Sequence, residues 1–339
     1  DHTIRAVPGL ADRILIDRAE AELLLPVEIG DYVDFYSSIE HASNMGAMLR
    51  PGGEPLLPNW RHLPVGYHGR AGSVVVSGTP VVRPRGQTLP DGGPPAFGPS
   101  AMLDFELEVG FIAGAPSALG APVPIDKASE HIFGCVLVND WSARDIQRWE
   151  YAPLGPFLGK SFATSISPWV VTLDALGPYL VPGPVQEPGV LDYLRSDRDW
   201  AIDLDLEVAL ATPGMIRQGL KPEIISSTNL STLYWSFAQQ LAHVTSNGAC
   251  LRTGDLLASG TVSGPGPGTY GSMIELTWSG QRPLRMPDGS ERIWLEDGDT
   301  VVLRGVCGPA EGVPAVGFGE VRGSIAPAPG SASGDGGNL

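Results

Sequence analysis

Acidic side chains at separated points of the chain are the first candidates for chemistry. Glu106 and Glu108 stand two residues apart in an alternating segment, so both would project from one face of a strand. Asp34 lies in a polar and aromatic segment that we expect to be a loop, and Asp140 follows an apolar run. Oxygen ligands without paired cysteines or histidines favour Ca²⁺ or Mg²⁺ over zinc. Acids on an outer strand face are often only solvated, and the alternation at 203–207 shows how easily the pattern arises.

A histidine is the candidate for proton transfer. His41 follows the Asp34 segment on a polar stretch that we expect to be mobile, and an imidazole titrates near neutral pH, as a general base must. Other histidines compete for this role, and the sequence leaves the choice open: His62, His68, His131 and His243.

Lys160 is the candidate for electrostatic catalysis. It lies among Gly, Pro, Phe and Leu in residues 155–161, where its ammonium would be desolvated and could stabilise an oxyanion. Alternatively, only its stem lies on apolar surface and the ammonium reaches water.

Composition and the remaining motifs exclude several classes of function. The 22 Lys and Arg against 38 Asp and Glu give a net charge of −16, which repels nucleic acids and anionic membranes. No apolar run approaches the ~20 residues that cross a bilayer. Three separated cysteines fit neither a disulfide framework nor a zinc site and favour a reducing compartment. The GxGxxG match at 266–271 precedes a predicted strand instead of a helix, so it does not indicate dinucleotide binding.

Short strands must position most of these residues. Alternating or continuous apolar segments predict strands at 73–82 (interrupted), 103–111, 135–138, 169–173, 202–210, 255–259, 272–278, 300–306 and 315–321. Helices are predicted at 142–151, with Arg144, Gln147 and Tyr151 on one face, and at 231–246. Because strands dominate without regular βα alternation, we expect a β-rich roll or sandwich.

The longer motifs, taken in chain order, resemble the fumarylacetoacetate hydrolase family. They are DYVDFYSS at 31–38 followed by His41, LPNW at 57–60, LPVGYHGR at 63–70, DFELE at 104–108, VNDWSARDIQ at 138–147, WEYAPLGPFLGKS at 149–161, GDLLASGTVSG at 254–264 and GSMIE at 271–275. The resemblance extends to about residue 323 and therefore covers nearly the whole chain.

The resemblance implies a fold and an activity. The fold is β-rich α+β, the mixed β-sandwich roll of the family's C-terminal domain. The activity is metal-dependent hydrolysis of a carbon–carbon bond in 4-fumarylacetoacetate, giving fumarate and acetoacetate, at the last step of tyrosine and phenylalanine degradation. A cytoplasmic homodimer that binds this small diketo acid, without nucleic acid or membrane, is expected. A related hydrolase of acylpyruvate-type diketo acids and a non-catalytic protein that kept the fold are the alternatives.

The resemblance also implies domain limits. Residues 1–30 would be a connector left from a missing N-terminal domain and 31–325 the catalytic domain, while the small, polar, Gly-rich composition of 326–339 itself predicts a disordered tail.

Individual roles follow from the resemblance where the motifs coincide. The implied calcium ligands are Asp34, Glu106, Glu108 and Asp140. An associated Mg²⁺ site would involve Asp140, Thr164 and the backbone carbonyl of Lys160. His41 would be the base that Glu275 orients. The oxyanion would be stabilised by Arg144, Gln147 and Lys160. The implied substrate contacts are Tyr36, Arg50, Tyr67, Gln147, Tyr151 and Thr261.

Overall fold

A computed structural model describes residue 7 and residues 9–309 and 312–330, without the side chains of residues 12 and 19. The helices of this part are α1 Leu10–Ile14, α2 Ile39–Leu49, α3 Ala128–His131, α4 Arg144–Glu150, α5 Leu173–Leu176, α6 Pro213–Arg217, α7 Phe237–Thr245 and α8 Met273–Leu276. Its strands are β1 Tyr32–Phe35, β2 Gly66–His68, β3 Val74–Val76, β4 Val81–Val82, β5 Arg85–Thr88, β6 Ala96–Pro99, β7 Leu103–Asp104, β8 Leu107–Ala113, β9 Ile132–Asp140, β10 Ser142–Ala143, β11 Thr164–Ile166, β12 Val171–Thr172, β13 Leu180–Val181, β14 Ala201–Ile202, β15 Asp205–Ala211, β16 Glu223–Asn229, β17 Leu256–Ala258, β18 Leu284–Arg285, β19 Glu291–Arg292, β20 Thr300–Cys307 and β21 Val316–Ala326.

Two mixed sheets form the centre of the molecule. The larger has the order β2-β1-β17-β8-β9-β11-β3, with β12 also paired to β9, and it contains both parallel and antiparallel neighbours. The smaller has the order β16-β15-β20-β21-β4, with parallel pairing only between β21 and β4. The predicted β-rich α+β class with mixed sheets is therefore confirmed.

The larger sheet is buried on both faces. Cys135 and Leu137 of β9 belong to the core shared with the smaller sheet, whereas Val136 and Val138 belong to a separate apolar cluster on the opposite face. At the sheet contact, a Cβ on Gly305 of β20 would lie 3.0 Å from Leu137. Strands covered on both sides read as continuous apolar runs, which explains the run before Asp140.

The opposite face of the larger sheet changes character along its strands. Because side chains alternate, Tyr32 and Asp34 of β1 share this face, as do Val138 and Asp140 of β9. Tyr32 and Val138 lie in the apolar cluster, and the two aspartates follow it toward the C-terminal ends of their strands. Acidic side chains from different strands are thereby directed to one end of a single sheet face.

Several predicted elements have different limits in the structure. The predicted helix 142–151 is a short strand, β10, followed by α4, and the helix predicted from 231 begins only at Phe237. There, Ser236 and Gln239 form a reciprocal capping box that fixes the start of α7. The strand predicted to reach 173 ends at Thr172, whose side chain caps α5. Asp34, expected in a loop, lies in strand β1 because its backbone pairs with β17 and β2.

The C-terminal strand is longer than expected. β21 runs to Ala326 and pairs there with β4, and Ala328 beyond it is buried. The unstructured tail predicted from residue 326 therefore cannot begin there, and residues 331–339 lie outside the described residues. Among the helices of the described residues, none has the length and apolar character needed to span a membrane.

Candidate active site

Four carboxylates meet at the end of the larger sheet. Oxygens of Asp34, Glu106, Glu108 and Asp140 all lie within 4.8 Å of one another, and each residue is at most 4% exposed. The backbone N–H of Asp140 donates to the carbonyl of Glu106, which brings β9 and the start of β8 together. The alternative that Glu106 and Glu108 lie on a solvated outer face is wrong, because that face of the sheet is covered.

Half of this carboxylate cluster is neutralised by buried cations. Glu106 accepts hydrogen bonds from Lys160 Nζ and, at 2.6 Å, from Arg144 Nη2. Lys160 Nζ also donates to Asp140 Oδ2 at 2.7 Å. Tyr67 and Thr164 complete the surroundings of Asp140, donating to it at 3.0 Å each. Every oxygen of Glu106 and Asp140 therefore has a donor.

The other half of the cluster lacks such partners. Oδ1 of Asp34 and Oε1 of Glu108 are buried and have no hydrogen-bond partner among the described residues. The other oxygen of Glu108 accepts the backbone N–H of Gly260 at 3.2 Å. Gly260 has a φ of +77°, and a Cβ there would lie 2.2 Å from the carbonyl oxygen of Phe35, so only glycine permits this approach.

Burial and mutual repulsion perturb the unpaired acids. Burial, followed by the charge of Asp140, raises the pKa of Asp34 well above its usual value. The pKa of Glu108 is likewise raised by burial and then by the charges of Asp34 and Asp140. Among the described residues, the cations that contact the four carboxylates are Lys160 and Arg144, and Arg144 also pairs with Asp104, so the cluster carries excess negative charge whenever all four acids are ionised. Buried oxygens with this excess charge fit one hard divalent cation.

The two cations are held in their charged forms. Burial alone would lower the pKa of Lys160, but the carboxylates of Asp140 and Glu106 raise it above its usual range. The pKa of Arg144 is raised in the same way, against its burial, by Glu106 and Asp104. The alternative of a solvated lysine head is wrong, because Lys160 is 6% exposed and its ammonium contacts two carboxylates.

His41 lies beside the cluster in helix α2. The mobile segment expected around it is instead a helix whose first turn is capped by Ser38, which accepts the backbone N–H of His41. The imidazole is 3% exposed, and its Nε2 lies 3.7 Å from Glu106 Oε1. The ring of Tyr36 packs edge-on against it, with 5.3 Å between centroids.

Glu275 holds the other nitrogen of this imidazole. Its Oε2 lies 2.7 Å from His41 Nδ1, and both residues are buried. Burial alone would raise the pKa of Glu275, but the charge of His41 and hydrogen bonds from its neighbours lower it. An ionised carboxylate only accepts, so in the neutral form of His41 the proton lies on Nδ1 and Nε2 has the free lone pair.

The strand predicted at 272–278 is wrong, because Glu275 lies in helix α8. Asp104 accepts the backbone N–H groups of Met273 and Ile274 at 2.6 and 3.2 Å, which stabilises the first turn of this helix. Four residues are too few for apolar periodicity to distinguish a helix from a strand. The sequence Ser-x-x-Glu at 272–275 was the available signal, since it is typical of a helix start.

The substrate contacts implied by the resemblance are distributed unevenly. Tyr36 and Tyr67 contact His41 and Asp140, and Gln147 Oε1 accepts from Arg144 Nη1 at 3.1 Å. Arg50 ends α2 and donates to the carbonyl of Pro55, while its buried Nε has no partner among the described residues. Two others have no described side-chain contact with the cluster: Thr261 is buried, and Tyr151, just after α4, is 49% exposed.

Sequence reasoning missed the residues that surround Glu275. Asn44 Nδ2 donates to Oε1 at 2.9 Å, and the hydroxyls of Ser263 and Ser272 donate to Oε2 at 2.9 and 2.6 Å. Asn44 lies three residues after His41, so a helix prediction there would have placed both on one face. No sequence signal identifies Ser263.

Two cavities bound different parts of the described chain. One of about 360 Å³ is lined partly by Tyr67 and Lys160 and therefore opens beside the carboxylate cluster. The other, of about 320 Å³, lies by Trp200 and Tyr234 and includes none of the predicted site residues. Of these two cavities, the first is therefore the one that has predicted site residues in its lining.

Comparison with known proteins gives a consistent result. A family model described as "Fumarylacetoacetate (FAA) hydrolase C-terminal" matches residues 32–326. The fumarylacetoacetase of Caenorhabditis elegans is 55% identical over 322 residues, which are 94% of this chain and 75% of that protein. The human fumarylacetoacetase is 53% identical over 314 residues, 92% of this chain and 74% of that protein.

Solved structures support the fold. A fumarylacetoacetate hydrolase from Exiguobacterium antarcticum superposes with a TM-score of 0.53 at 20% identity, covering 90% of this chain and 78% of the other. A 5-carboxymethyl-2-hydroxymuconate delta-isomerase from Mycobacterium smegmatis gives a TM-score of 0.52 at 20% identity, covering 92% and 84%. Proteins with different named activities thus share this architecture, so the fold alone does not select a reaction.

Proposed function

The chain belongs to the fumarylacetoacetate hydrolase family and is a hydrolase of carbon–carbon bonds, and on that premise we propose that its substrate is 4-fumarylacetoacetate. The products would be fumarate and acetoacetate, as in the last step of tyrosine and phenylalanine degradation. The observation that carries the proposal is the buried His41–Glu275 pair beside Glu106 of the carboxylate cluster.

His41 is the proposed general base. Glu275 accepts a hydrogen bond from the N–H at Nδ1, which fixes the tautomer and leaves Nε2 to take a proton from water. The resulting hydroxide attacks the ketone carbonyl of the fumaroyl group, which becomes the second carboxyl group of fumarate. The carbon–carbon bond then breaks, its electron pair leaves with the acetoacetate fragment as an enolate, and the proton on His41 returns to that carbon.

Fixed donors would stabilise the tetrahedral oxyanion. The hydrogen bond from Arg144 uses the amide oxygen of Gln147 and leaves its NH₂ group to donate. Lys160 uses two donors on Glu106 and Asp140, and an ammonium has three. These groups are held by buried ion pairs before substrate arrives, which is the arrangement that makes such donors effective.

The carboxylate cluster is proposed to hold Ca²⁺, with Asp34, Glu106, Glu108 and Asp140 as ligands and an associated Mg²⁺ near Lys160 and Thr164. The partnerless oxygens of Asp34 and Glu108 support a cation here. A bound divalent cation would supply charge stabilisation for the enolate oxygen.

Assembly and location belong to the same proposal. A cytoplasmic homodimer is expected from the family resemblance, and the exposed apolar side chains of Leu154, Phe157 and Leu158 support an interface beside the site. Sedimentation of the purified chain as a monomer would contradict the dimer without affecting the chemistry.

The proposal is tested by turnover of defined substrates. Purified protein with Ca²⁺ is expected to cleave fumarylacetoacetate faster than acylpyruvates, as followed by substrate absorbance and product identification. A preference for acylpyruvates would mean that the chain is a hydrolase of acylpyruvate-type diketo acids. No turnover of any diketo acid would favour a non-catalytic role.

The base is tested separately. His41→Ala is expected to abolish turnover while Ca²⁺ affinity, measured calorimetrically, stays nearly unchanged, because the imidazole is not a proposed ligand. His243→Ala is the matched control, since that histidine pairs with Tyr193 away from the cluster. Substantial residual turnover in His41→Ala would require another base.

A further inference from the structure

We propose that Asp104 is a positioning residue that fixes the proposed base pair, His41 and Glu275, relative to the proposed oxyanion donors that Arg144 holds. This inference rests on the proposed function, because the groups that it positions are the proposed base pair and oxyanion donors. Asp104 has no described contact with His41 or with the other carboxylates, and it is fully buried. It therefore acts through other residues instead of on the substrate.

One arm of the Asp104 carboxylate reaches the base pair. Oδ1 and Oδ2 accept the backbone N–H groups of Met273 and Ile274 at the start of α8. Glu275 follows immediately in this four-residue helix, which is too short to be stable without tertiary contacts. Displacing the first turn would move the Glu275 carboxylate away from Nδ1 of His41.

The other arm reaches the oxyanion donors. Oδ2 also accepts from Arg144 Nε at 2.7 Å. The same guanidinium uses Nη2 on Glu106 and Nη1 on Gln147. All three nitrogens of the planar Arg144 guanidinium thus donate hydrogen bonds, and Asp104 accepts the one from Nε, which fixes the orientation of the plane.

The chain contains a matched control for this arrangement. Asp299 is also fully buried, accepts Nε and Nη2 of Arg292 at 2.8 and 3.0 Å, and accepts the backbone N–H of Glu296. It therefore combines an arginine with a backbone donor, as Asp104 does, but none of its partners belongs to the proposed site. Loss of Asp299 measures the structural cost alone.

The experiment compares Asn and Ala at both positions in the full chain with Ca²⁺. In Asp104→Asn, the amide oxygen can still accept from Met273, while its NH₂ group, in the place of Oδ2, opposes both Arg144 Nε and the N–H of Ile274. We expect kcat on fumarylacetoacetate to fall about 100-fold with little change in KM, because misplacing a group by about 1 Å has effects of this size. Asp299→Asn is expected to lower the unfolding temperature and leave kcat unchanged.

A double-mutant cycle identifies the route of the effect. In an Arg144→Met background, Asp104→Asn is expected to lower kcat by a clearly smaller factor than in the wild-type background, because only the disturbance of α8 remains. Equal effects of Asp104→Asn in both backgrounds would overturn the Arg144 arm, and a kcat loss no greater than that of Asp299→Asn would overturn the whole inference.

A second measurement does not depend on turnover. In histidine-labelled protein, the proton on Nδ1 of His41 is expected to give a downfield NMR signal that Asp104→Ala removes and Asp299→Ala retains. Retention of this signal in folded Asp104→Ala would overturn the α8 arm. If the wild-type chain cleaves no fumarylacetoacetate, the proposed function fails, and this signal still decides whether Asp104 positions the pair.

Discussion

The two halves of the carboxylate cluster differ although they share one sheet face and the same burial. Glu106 and Asp140 receive a donor at every oxygen, including two from the single ammonium of Lys160. Asp34 and Glu108 each keep a buried oxygen without a partner among the described residues. Both halves are buried, so they differ in the partners of their oxygens. The cations and the hydroxyl donors contact Glu106 and Asp140.

The difference is also visible in the protonation equilibria. Burial would raise the pKa of Glu106, but Lys160 and then Arg144 lower it below the ordinary range. Burial raises the pKa of Glu108, and its neighbouring acids raise it further. Ion pairs thus satisfy one half within the protein, whereas the other half has a buried oxygen on each acid with no hydrogen-bond partner among the described residues.

The largest effect should come from breaking the satisfied half. Glu106→Gln removes the shared carboxylate from two buried ion pairs, with Lys160 and with Arg144, and breaking a buried pair by removing one partner costs about 3–5 kcal/mol. We expect a loss of this size in the free energy of unfolding by urea titration, together with loss of turnover.

Glu207→Gln serves as the control, since Glu207 is half-buried on β15 away from the cluster. Its unfolding free energy should change by less than about 0.5 kcal/mol. A Glu106→Gln protein as stable as this control would mean that the cations do not depend on Glu106.

Removing the proposed Ca²⁺ should have an intermediate effect on the free energy of unfolding, and it should act through Asp34 and Glu108. Ca²⁺ at 100 times its Kd is expected to stabilise the protein by about 2.7 kcal/mol, because it binds only the folded state. Excess chelator should reverse this gain and abolish turnover, since the repelling carboxylates would then face an anionic substrate. Full turnover in chelator would contradict the role of the cluster.

The smallest expected change in stability has the opposite sign, because here the substitution stabilises the metal-free protein. It should therefore distinguish the two halves of the cluster most sharply. Asp34→Asn replaces an acid whose charged form is disfavoured by burial and by the charge of Asp140, so the metal-free protein should become more stable. The stabilisation by Ca²⁺ should disappear in this variant.

Asp205→Asn is the control at an exposed aspartate, which bonds only to Asn229 among its described side-chain contacts. It should change neither the stability of the metal-free protein nor the stabilisation by Ca²⁺. Thermal unfolding with and without Ca²⁺ measures both effects. If Asp34→Asn destabilised the metal-free protein, Asp34 would belong with the satisfied half.

Much of the site could be predicted because its residues lie in distinctive motifs. The segments around Asp34, Glu106, Asp140 and Lys160 identified the family, and alternation correctly placed Glu106 and Glu108 on one face. The β-rich class followed from the many short apolar segments. These features are local, so one sequence contains them.

What failed was local structure that depends on distant partners. The turn that contains Glu275 is helical because Asp104, 169 positions earlier, accepts the N–H of Met273. His41 lies in a helix because Ser38 caps its first turn, and Ser38 in turn donates to the carbonyl of Ser263, far along the chain. The distant partners in these two cases are Asp104 and Ser263, and no local pattern connects them to Met273 or to Ser38.

The sequence by itself therefore determined which residues were available and the class of reaction that they suit. The tertiary structure decided which carboxylates received a cation and which kept an open oxygen. That outcome depends on distances of a few ångströms between strands far apart in the chain, and electrostatic free energies in a buried site change steeply over such distances.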